Sequence, residues 1–329
     1  MAGITDSPYR RIARRYGAGL LYTECISAEG LRRQGVGSFD LCRFEPAERP
    51  IAIQLFGSTV EALAEAAALA AERFSPDMID VNCGCPVKKF VTKGCGGALM
   101  QVPDLIGRIV EAVKAASGLP VSVKLRSGYF PGEETAPLAA KIAREAGASL
   151  IAIHGRYVRK AKGMPADWGV IRRVKEAVQG LPVIGNGDVF SYEDAANLTR
   201  ETGCDRVMIA RWAEGRPWLF EPLKNGEFPL KNPPEPLIPD KISLILEQLR
   251  MMVDFYGEKT AVLRMRKQLG WYSHGWPGGG KLRSDLMAIS SAERVVERLM
   301  TYQDSLDPDY LSGLKLIAMG GRLVFAEEG

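Results

Sequence analysis

The segment Cys83-Gly84-Cys85-Pro86, with Lys88 and Lys89 just beyond, holds the residues of this chain best suited to reaction chemistry. A thiol ahead of Pro and two lysines is a candidate proton donor or nucleophile. A buried structural thiol is the plainer reading of the same residues. Cys83 and Cys85 are two apart, so in an extended strand they face the same side, and direction alone does not separate them. Zinc is a poor fit. Cys95 adds a third sulfur, but no CxxC pair exists and the chain has only 2 histidines, whereas structural zinc sites usually show two paired ligand clusters.

Other polar residues close short apolar runs: Glu24, Gln54, Asn82, Lys124, His154, Asn186 and Arg211. The runs read as strands at 20–26, 51–57, 78–83, 121–126, 150–155, 182–187 and 206–211. Amphipathic Ala/Glu/Arg-rich stretches separate them at 59–73, 104–117, 135–147, 168–179 and 192–202. Ser58 with Glu61 and Ser191 with Asp194 have capping-box spacing, and Gly180 and Gly203 stand where helices end.

This alternation predicts parallel βα units and favours a (β/α)8 barrel over an open sheet. No GxGxxG follows any strand, as a dinucleotide-binding open sheet would require. In a barrel all the polar strand ends face one mouth. There, Asn186-Gly187-Asp188 and Ala210-Arg211 follow the last two strands, where barrels commonly bind phosphate through backbone N–H groups. Seven strands are found, and the first of eight is expected upstream of Met1, because a helical segment, Ser7–Tyr16, follows almost at once.

The pattern changes after residue 223. Residues 224–240 carry Pro229, Pro233, Pro234, Pro236 and Pro239 and read as a linker. Helices are expected at 241–257, 260–272 and 289–303, giving a barrel over 1–223 and a small all-helical domain over 241–329. With 43 basic and 39 acidic residues the chain permits a polyanionic partner without demanding one. Six cysteines are no disulfide scaffold. No signal pattern and no run of about 18 apolar residues is present, so a cytosolic protein with reduced thiols and no membrane contact is expected.

In their order along the chain these motifs resemble the tRNA-dihydrouridine synthases, flavoproteins of (β/α)8 fold with a helical C-terminal domain. The strongest element is Asn82-x-Gly84-Cys85-Pro86 with Lys88-Lys89 and Gly96-Gly97-Ala98-Leu99. Met1-Ala2-Gly3-Ile4-Thr5-Asp6-Ser7-Pro8-Tyr9-Arg10 is similar to the family's first loop. Tyr22-Thr23-Glu24, Gln54-Leu55-x-Gly57, Val123-Lys124-x-Arg126, His154-Gly155-Arg156, Ala166-Asp167-Trp168, Asn186-Gly187-Asp188, Arg266-Lys267 and Trp271-Tyr272 to Gly278 add to it. The bacterial B-type branch is the nearest.

The resemblance implies reduction of the C5–C6 double bond of uridine in tRNA, with a hydride from reduced FMN to C6 and a proton from a cysteine to C5. Cys85 matches that cysteine. The family usually has Met, Leu or Phe at the place of Cys83, which makes Cys83 a packing residue. Lys124 would favour the anionic reduced flavin, Gln54 would bond its ring edge, and His154 would face its phosphate. Asn186, Gly187, Asp188, Ala210 and Arg211 would form the phosphate cradle, and Met1 and Ala2 would lie against the flavin. Asn82 would bond the uracil, and Arg156 would contact substrate. NADPH or NADH would reduce the flavin, and a monomer is expected.

Two places depart from the family pattern. Ala210-Arg211-Trp212 stands where Gly-Arg-Gly is usual, and the loop 157–163 has lost the usual Thr, Gln and Tyr while gaining Arg159, Lys160 and Lys162. Residues 259–284 hold Lys259, Arg264, Arg266, Lys267, Lys281 and Arg283 and no acid, so Arg266, Lys267, Lys281 and Arg283 are expected to grip tRNA. A barrel reductase of a small pyrimidine or enone, and an RNA-binding flavoprotein without turnover, are the rival readings; the C-terminal helices argue against the first.

Overall fold

The computed structural model describes residues 1–159, 163–223, 228–229, 233–307, 315–319 and 322–326. Eight short strands form one parallel sheet: β1 (Leu21–Tyr22), β2 (Ile26–Ser27), β3 (Ile51–Phe56), β4 (Met78–Asn82), β5 (Val121–Arg126), β6 (Leu150–His154), β7 (Val183–Asn186) and β8 (Arg206–Met208). They pair in chain order, except that β1 and β2 both pair with β3. The predicted strand 20–26 is therefore broken at Thr23–Cys25, where the Thr23 hydroxyl accepts the Gln54 N–H at 3.0 Å. The last strand stops at Met208, and Arg211–Ala213 is a 3-10 turn. This is the wall of a (β/α)8 barrel; among the described residues no strand precedes Leu21 and none joins β8 to β1.

Period-2 alternation sorts the strand residues onto two faces. Val121, Val123 and Leu125 of β5 join Ile53, Leu55, Ile79 and Val81 in the core beneath the helices. Ser122, Lys124 and Arg126 take the opposite, interior face, in register with Asp80, Asn82 and His154 of the neighbouring strands. Leu150, Ala152 and Ile184 make a small apolar plug inside the barrel.

The sheet is preceded by α1 (Ser7–Arg15) and covered by α2 (Ala28–Arg32), α3 (Val36–Cys42), α4 (Val60–Phe74), α5 (Lys88–Val91), α6 (Pro103–Ser117), α7 (Ala136–Glu145), α8 (Trp168–Ala177) and α9 (Tyr192–Thr202). Thr59, one residue later than the spacing implied, caps α4 by accepting the Ala62 N–H. Ser191 does cap α9, and Gly203 ends it at φ 68°.

A second unit comprises Glu214–Pro217 and Asn232–Gly329. Its helices are α10 (Ile238–Tyr256), α11 (Glu258–Tyr272), α12 (Gly279–Ala288) and α13 (Ala292–Asp304). It is not all-helical: β9 (Lys315–Met319) and β10 (Arg322–Ala326) pair antiparallel. Two apolar five-residue runs flanking a Gly-Gly pair are a hairpin pattern that the sequence reading passed over. Helix α12 was also missed, because Gly279 and Gly280 read as loop. The linker expected at 224–240 gives way to helix at Ile238, and its residues 224–227 and 230–232 lie outside the described set.

One buried ion pair fastens the N-terminal segment. Arg10 donates to Glu48 at 2.5 Å with both side chains buried, and also to the carbonyls of Thr5 and Arg43 at 2.7 and 2.9 Å. Glu48 further accepts from Ser7 and from the Glu45 N–H. Removing one partner leaves an uncompensated buried charge. Arg10→Met should lower unfolding free energy by about 3–5 kcal/mol in urea titrations; a loss no larger than a surface substitution gives would show that the pair is not structural.

Candidate active site

The chain turns sharply after Asn82, and this separates the two cysteines. Cys83 continues the ladder with its N–H on the Lys124 carbonyl, while its thiol is fully buried among the outer core residues. Burial pushes that thiol's pKa up. Cys85 lies past the turn and is half-exposed. Its segment is held from three sides. Asn82 Oδ1 accepts the N–H groups of Gly84 (3.1 Å) and Cys85 (2.9 Å). Arg126 Nε donates to the Gly84 carbonyl at 3.0 Å, and the Gly97 N–H donates to the Cys85 carbonyl at 3.0 Å. Gly96 sits at φ 59°, where a side chain would be strained, and a Cβ there would stand 3.1 Å from that of Cys85.

Below the thiol lies a chain of polar side chains in which Asp80, Asn82 and Ser122 are buried and Gln54 is half-buried. Asn82 Nδ2 donates to Gln54 Oε1 at 2.9 Å, and Gln54 Nε2 donates to Asp80 at 2.7 Å. Ser122 donates to the other Asp80 oxygen at 2.5 Å. Burial raises the Asp80 pKa to about 6, an effect moderated by the bonds from Ser122 and Gln54 and by the charge on Lys124. Each amide has two donor hydrogens and two acceptor lone pairs. Gln54 thus spends one of each within the chain, and Asn82 keeps one donor hydrogen.

Across the mouth, cations crowd together. Lys124 Nζ donates to Asn186 Oδ1 at 3.3 Å, and Asn186 Nδ2 donates to the Met208 carbonyl at 2.8 Å. Burial, with Arg126 adding, pushes Lys124 down to about 7 against the pull of Asp80. Burial and the charges of Lys124, Arg126, Arg156 and Arg211 drive His154 strongly downward, so it is a neutral imidazole. Arg126 falls to about 10 through burial and Arg156.

Asp188 answers this charge. It takes two bonds from Arg156 at 2.5 and 2.6 Å, the Ala166 N–H at 2.8 Å and Arg211 at 3.2 Å. Burial would raise its pKa, but these partners hold it below the usual carboxylate range. At Gly187, φ 129°, a Cβ would meet Ala166 at 2.8 Å and His154 at 2.9 Å, so the backbone there is bare. Trp168 Nε1 bonds the Gly187 carbonyl at 2.9 Å.

The remaining sequence-predicted residues fall as follows. The Met1 carbonyl accepts the Ile4 and Thr5 N–H groups, Ala2 is exposed, and the Gly3 N–H donates to the buried Glu24 carboxylate. Ala210 precedes the turn in which Arg211 stacks on Phe190, 4.8 Å from the ring centroid. Trp212 packs edge-on to Tyr192 and against the core. Arg159 reaches the Tyr129 hydroxyl at 3.3 Å, while Lys160 and Lys162 lie outside the described residues. Sequence reasoning passed over Cys25, a half-exposed thiol that interacts with Cys85; its position directly after Glu24 at a strand end was the available signal.

In the second unit the four expected RNA-gripping cations divide. Arg266 donates to the Ile289 carbonyl at 3.1 Å and Arg283 to the Ser273 carbonyl at 2.9 Å, both half-buried. Lys267 and Lys281 are exposed. Among the described residues no helix is long and apolar enough to cross a membrane.

A parallel barrel with a thiol and a group of cations gathered at the carboxyl ends of its strands has the layout of a barrel enzyme. The profile described as "Dihydrouridine synthase (Dus)" matches residues 1–307, and the chain belongs to that family. A probable tRNA-dihydrouridine synthase of Rickettsia bellii is 35% identical over 93% of this chain and 94% of its own length. A tRNA-dihydrouridine synthase B of Xanthomonas campestris is 35% identical over 93% of this chain and 92% of its own. The solved 2-naphthoyl-CoA reductase shares the fold alone, at TM-score 0.53 and 14% identity over 68% of this chain and 47% of that one.

Lys124 gives the site a measurable signature. Between its folded value near 7 and the ordinary lysine value of about 10.4, the unfolded chain holds a proton that the folded chain lacks. Stability therefore rises with pH across that window. Flavin-free wild type should gain stability over Lys124→Met from about pH 7 to about pH 10 in urea titrations, whereas parallel pH curves would mean an ordinary lysine.

Proposed function

We propose that the protein is an FMN-dependent tRNA-dihydrouridine synthase that reduces the C5–C6 bond of uridine, with Cys85 as the proton donor. The observation that carries this reading is the presentation of Cys85, half-exposed and held by Asn82 and Arg126, opposite a mouth rich in cations.

The donor set fits FMN. The bare Gly187 backbone, Arg211 and the Ala210 segment suit its phosphate, with neutral His154 beside Gly187 as a hydrogen-bonding wall. Asp188 is already neutralised by Arg156 and Arg211, so it positions those arginines and does not oppose a phosphate. Lys124 and the one unused donor hydrogen of Gln54 suit the polar edge of the ring, and the Met1–Ala2 turn closes over it. When bound and reduced by NADPH or NADH, FMN supplies the hydride that uracil C6 receives.

The chain's own residues supply the rest. The Cys85 thiol releases its proton to C5, and the thiolate left behind faces the Arg126 guanidinium. Asn82 keeps one donor hydrogen for a uracil carbonyl. The target base must leave its stack to reach the thiol, which costs a few kcal/mol. Exposed Lys267 and Lys281 contact tRNA phosphates, whereas Arg266 and Arg283 hold α11 and α12 in place for them. The protein works as a monomer in the cytoplasm, where tRNA is found and thiols stay reduced.

Cys85→Ala should keep FMN and its reduction by NADPH while losing about 10²–10⁴-fold in tRNA turnover. Cys83→Ala should stay active; the reverse pattern would assign the proton to Cys83.

For tRNA binding, replacing Lys267 and Lys281 together with Ala should flatten the slope of log K against log salt by about 1 per lysine. Arg266→Ala should lower the melting temperature more than it changes that slope. A slope unmoved by the double lysine variant would put the tRNA surface elsewhere.

A further inference from the structure

We propose that Asp80 is a positioning residue for Cys85, acting through the amides of Gln54 and Asn82 on the backbone that presents the thiol. This rests on Cys85 being the proton donor.

The bonds run in series across three strands: Ser122 to Asp80 (2.5 Å), Gln54 to Asp80 (2.7 Å), Asn82 to Gln54 (2.9 Å), then the Gly84 and Cys85 N–H groups to Asn82 (3.1 and 2.9 Å). An amide can face a neighbour with either end, so a chain of two amides has two orientations. An ionised carboxylate only accepts. Asp80 therefore requires Gln54 to point Nε2 inward and Oε1 toward Asn82. Asn82 must then offer Nδ2 to Gln54, which leaves Oδ1 for the two N–H groups. The opposite orientation would set an amide oxygen against the Asp80 carboxylate and an amide NH2 against two backbone donors.

Asp80 is fully buried and touches neither the thiol nor the mouth's surface. Its place in the barrel interior is otherwise costly, since a buried carboxylate without donors is strongly unfavourable. Tyr22 brings a further buried hydroxyl close to Asp80 and Ser122 without a hydrogen bond of acceptable geometry. In Asp80→Asn the Ser122 hydroxyl, receiving the new NH2, can turn toward it. Asn at 80 can also turn its NH2 toward Gln54, so it keeps a partner there but no longer dictates which end of Gln54 faces inward.

The test is the rate at which iodoacetamide alkylates Cys85, followed by mass spectrometry of its peptide in full-length protein with FMN at saturation. This readout needs no tRNA turnover. A failure of the relay is thereby distinguishable from a failure of Cys85 as donor, which Cys85→Ala tests. Gln54→Leu and Asp80→Leu should each raise the rate by about fivefold or more as the segment loosens. The pair together should do no more than either alone, because they interrupt one series. Asp80→Asn keeps the shape but can offer either end to Gln54, so it should raise the rate by about twofold or more without reaching Asp80→Leu, a change a purely steric role does not produce. Multiplying effects, or Asp80→Asn at the wild-type rate, would overturn the proposal. If Asp80→Leu fails to fold, Gln54→Leu decides, and a wild-type alkylation rate there is equally fatal.

Discussion

Lys124, Arg126, Arg156 and Arg211 converge at one end of a small sheet, and the mouth of the barrel is arranged around their mutual repulsion. Each response is visible. Lys124 is pushed down to about 7 and donates to Asn186. His154, surrounded by all four, is neutral. Arg126 spends its Nε on a backbone carbonyl. Asp188, in the left-handed region at φ 52°, binds Arg156 and Arg211 and one backbone N–H. The surplus that remains is positive.

The thiol depends on the same crowding. Arg126 belongs to the cation group and also grips the Gly84 carbonyl, so the wall that favours an anion and the segment that presents Cys85 share a residue. On the other flank Asn82 ties that segment to β3 and, through Gln54, to the buried Asp80. The Cys85 thiol is therefore placed by β3, β4, β5 and the Gly96–Gly97 turn together. None of them could hold it alone, because each supplies only one of the directions in which the segment is constrained.

Much of the barrel was legible in the sequence. Strand is found within each predicted stretch of six or seven residues, because the residues that face the helices must be apolar. Two of the differences in boundary have local causes. The strand at 20–26 breaks because a threonine hydroxyl replaces a ladder bond, and Ser58 lost the α4 cap to its neighbour Thr59. The β9–β10 pair was missed because the apolar runs beyond the last expected helix, which ends at 303, were left inside a domain read as all-helical. The site was legible as residue types at strand ends, and the order of the motifs made the family recognisable.

The sequence by itself determined which side chains reach the mouth, because period-2 alternation and the strand ends settle that without reference to partners. Tertiary structure alone decided what each of them is available to do. Cys83 and Cys85 look alike on paper, and a turn after Asn82 buries one and presents the other. Arg266 and Lys267 are neighbours, yet Arg266 is drawn in to the Ile289 carbonyl and Lys267 is left to solvent. Asn82, Asn186 and Asp188 each find partners on other strands or loops. A hydrogen bond is satisfied by whatever lies within about 3 Å, and those neighbours come from tens of residues away in the chain.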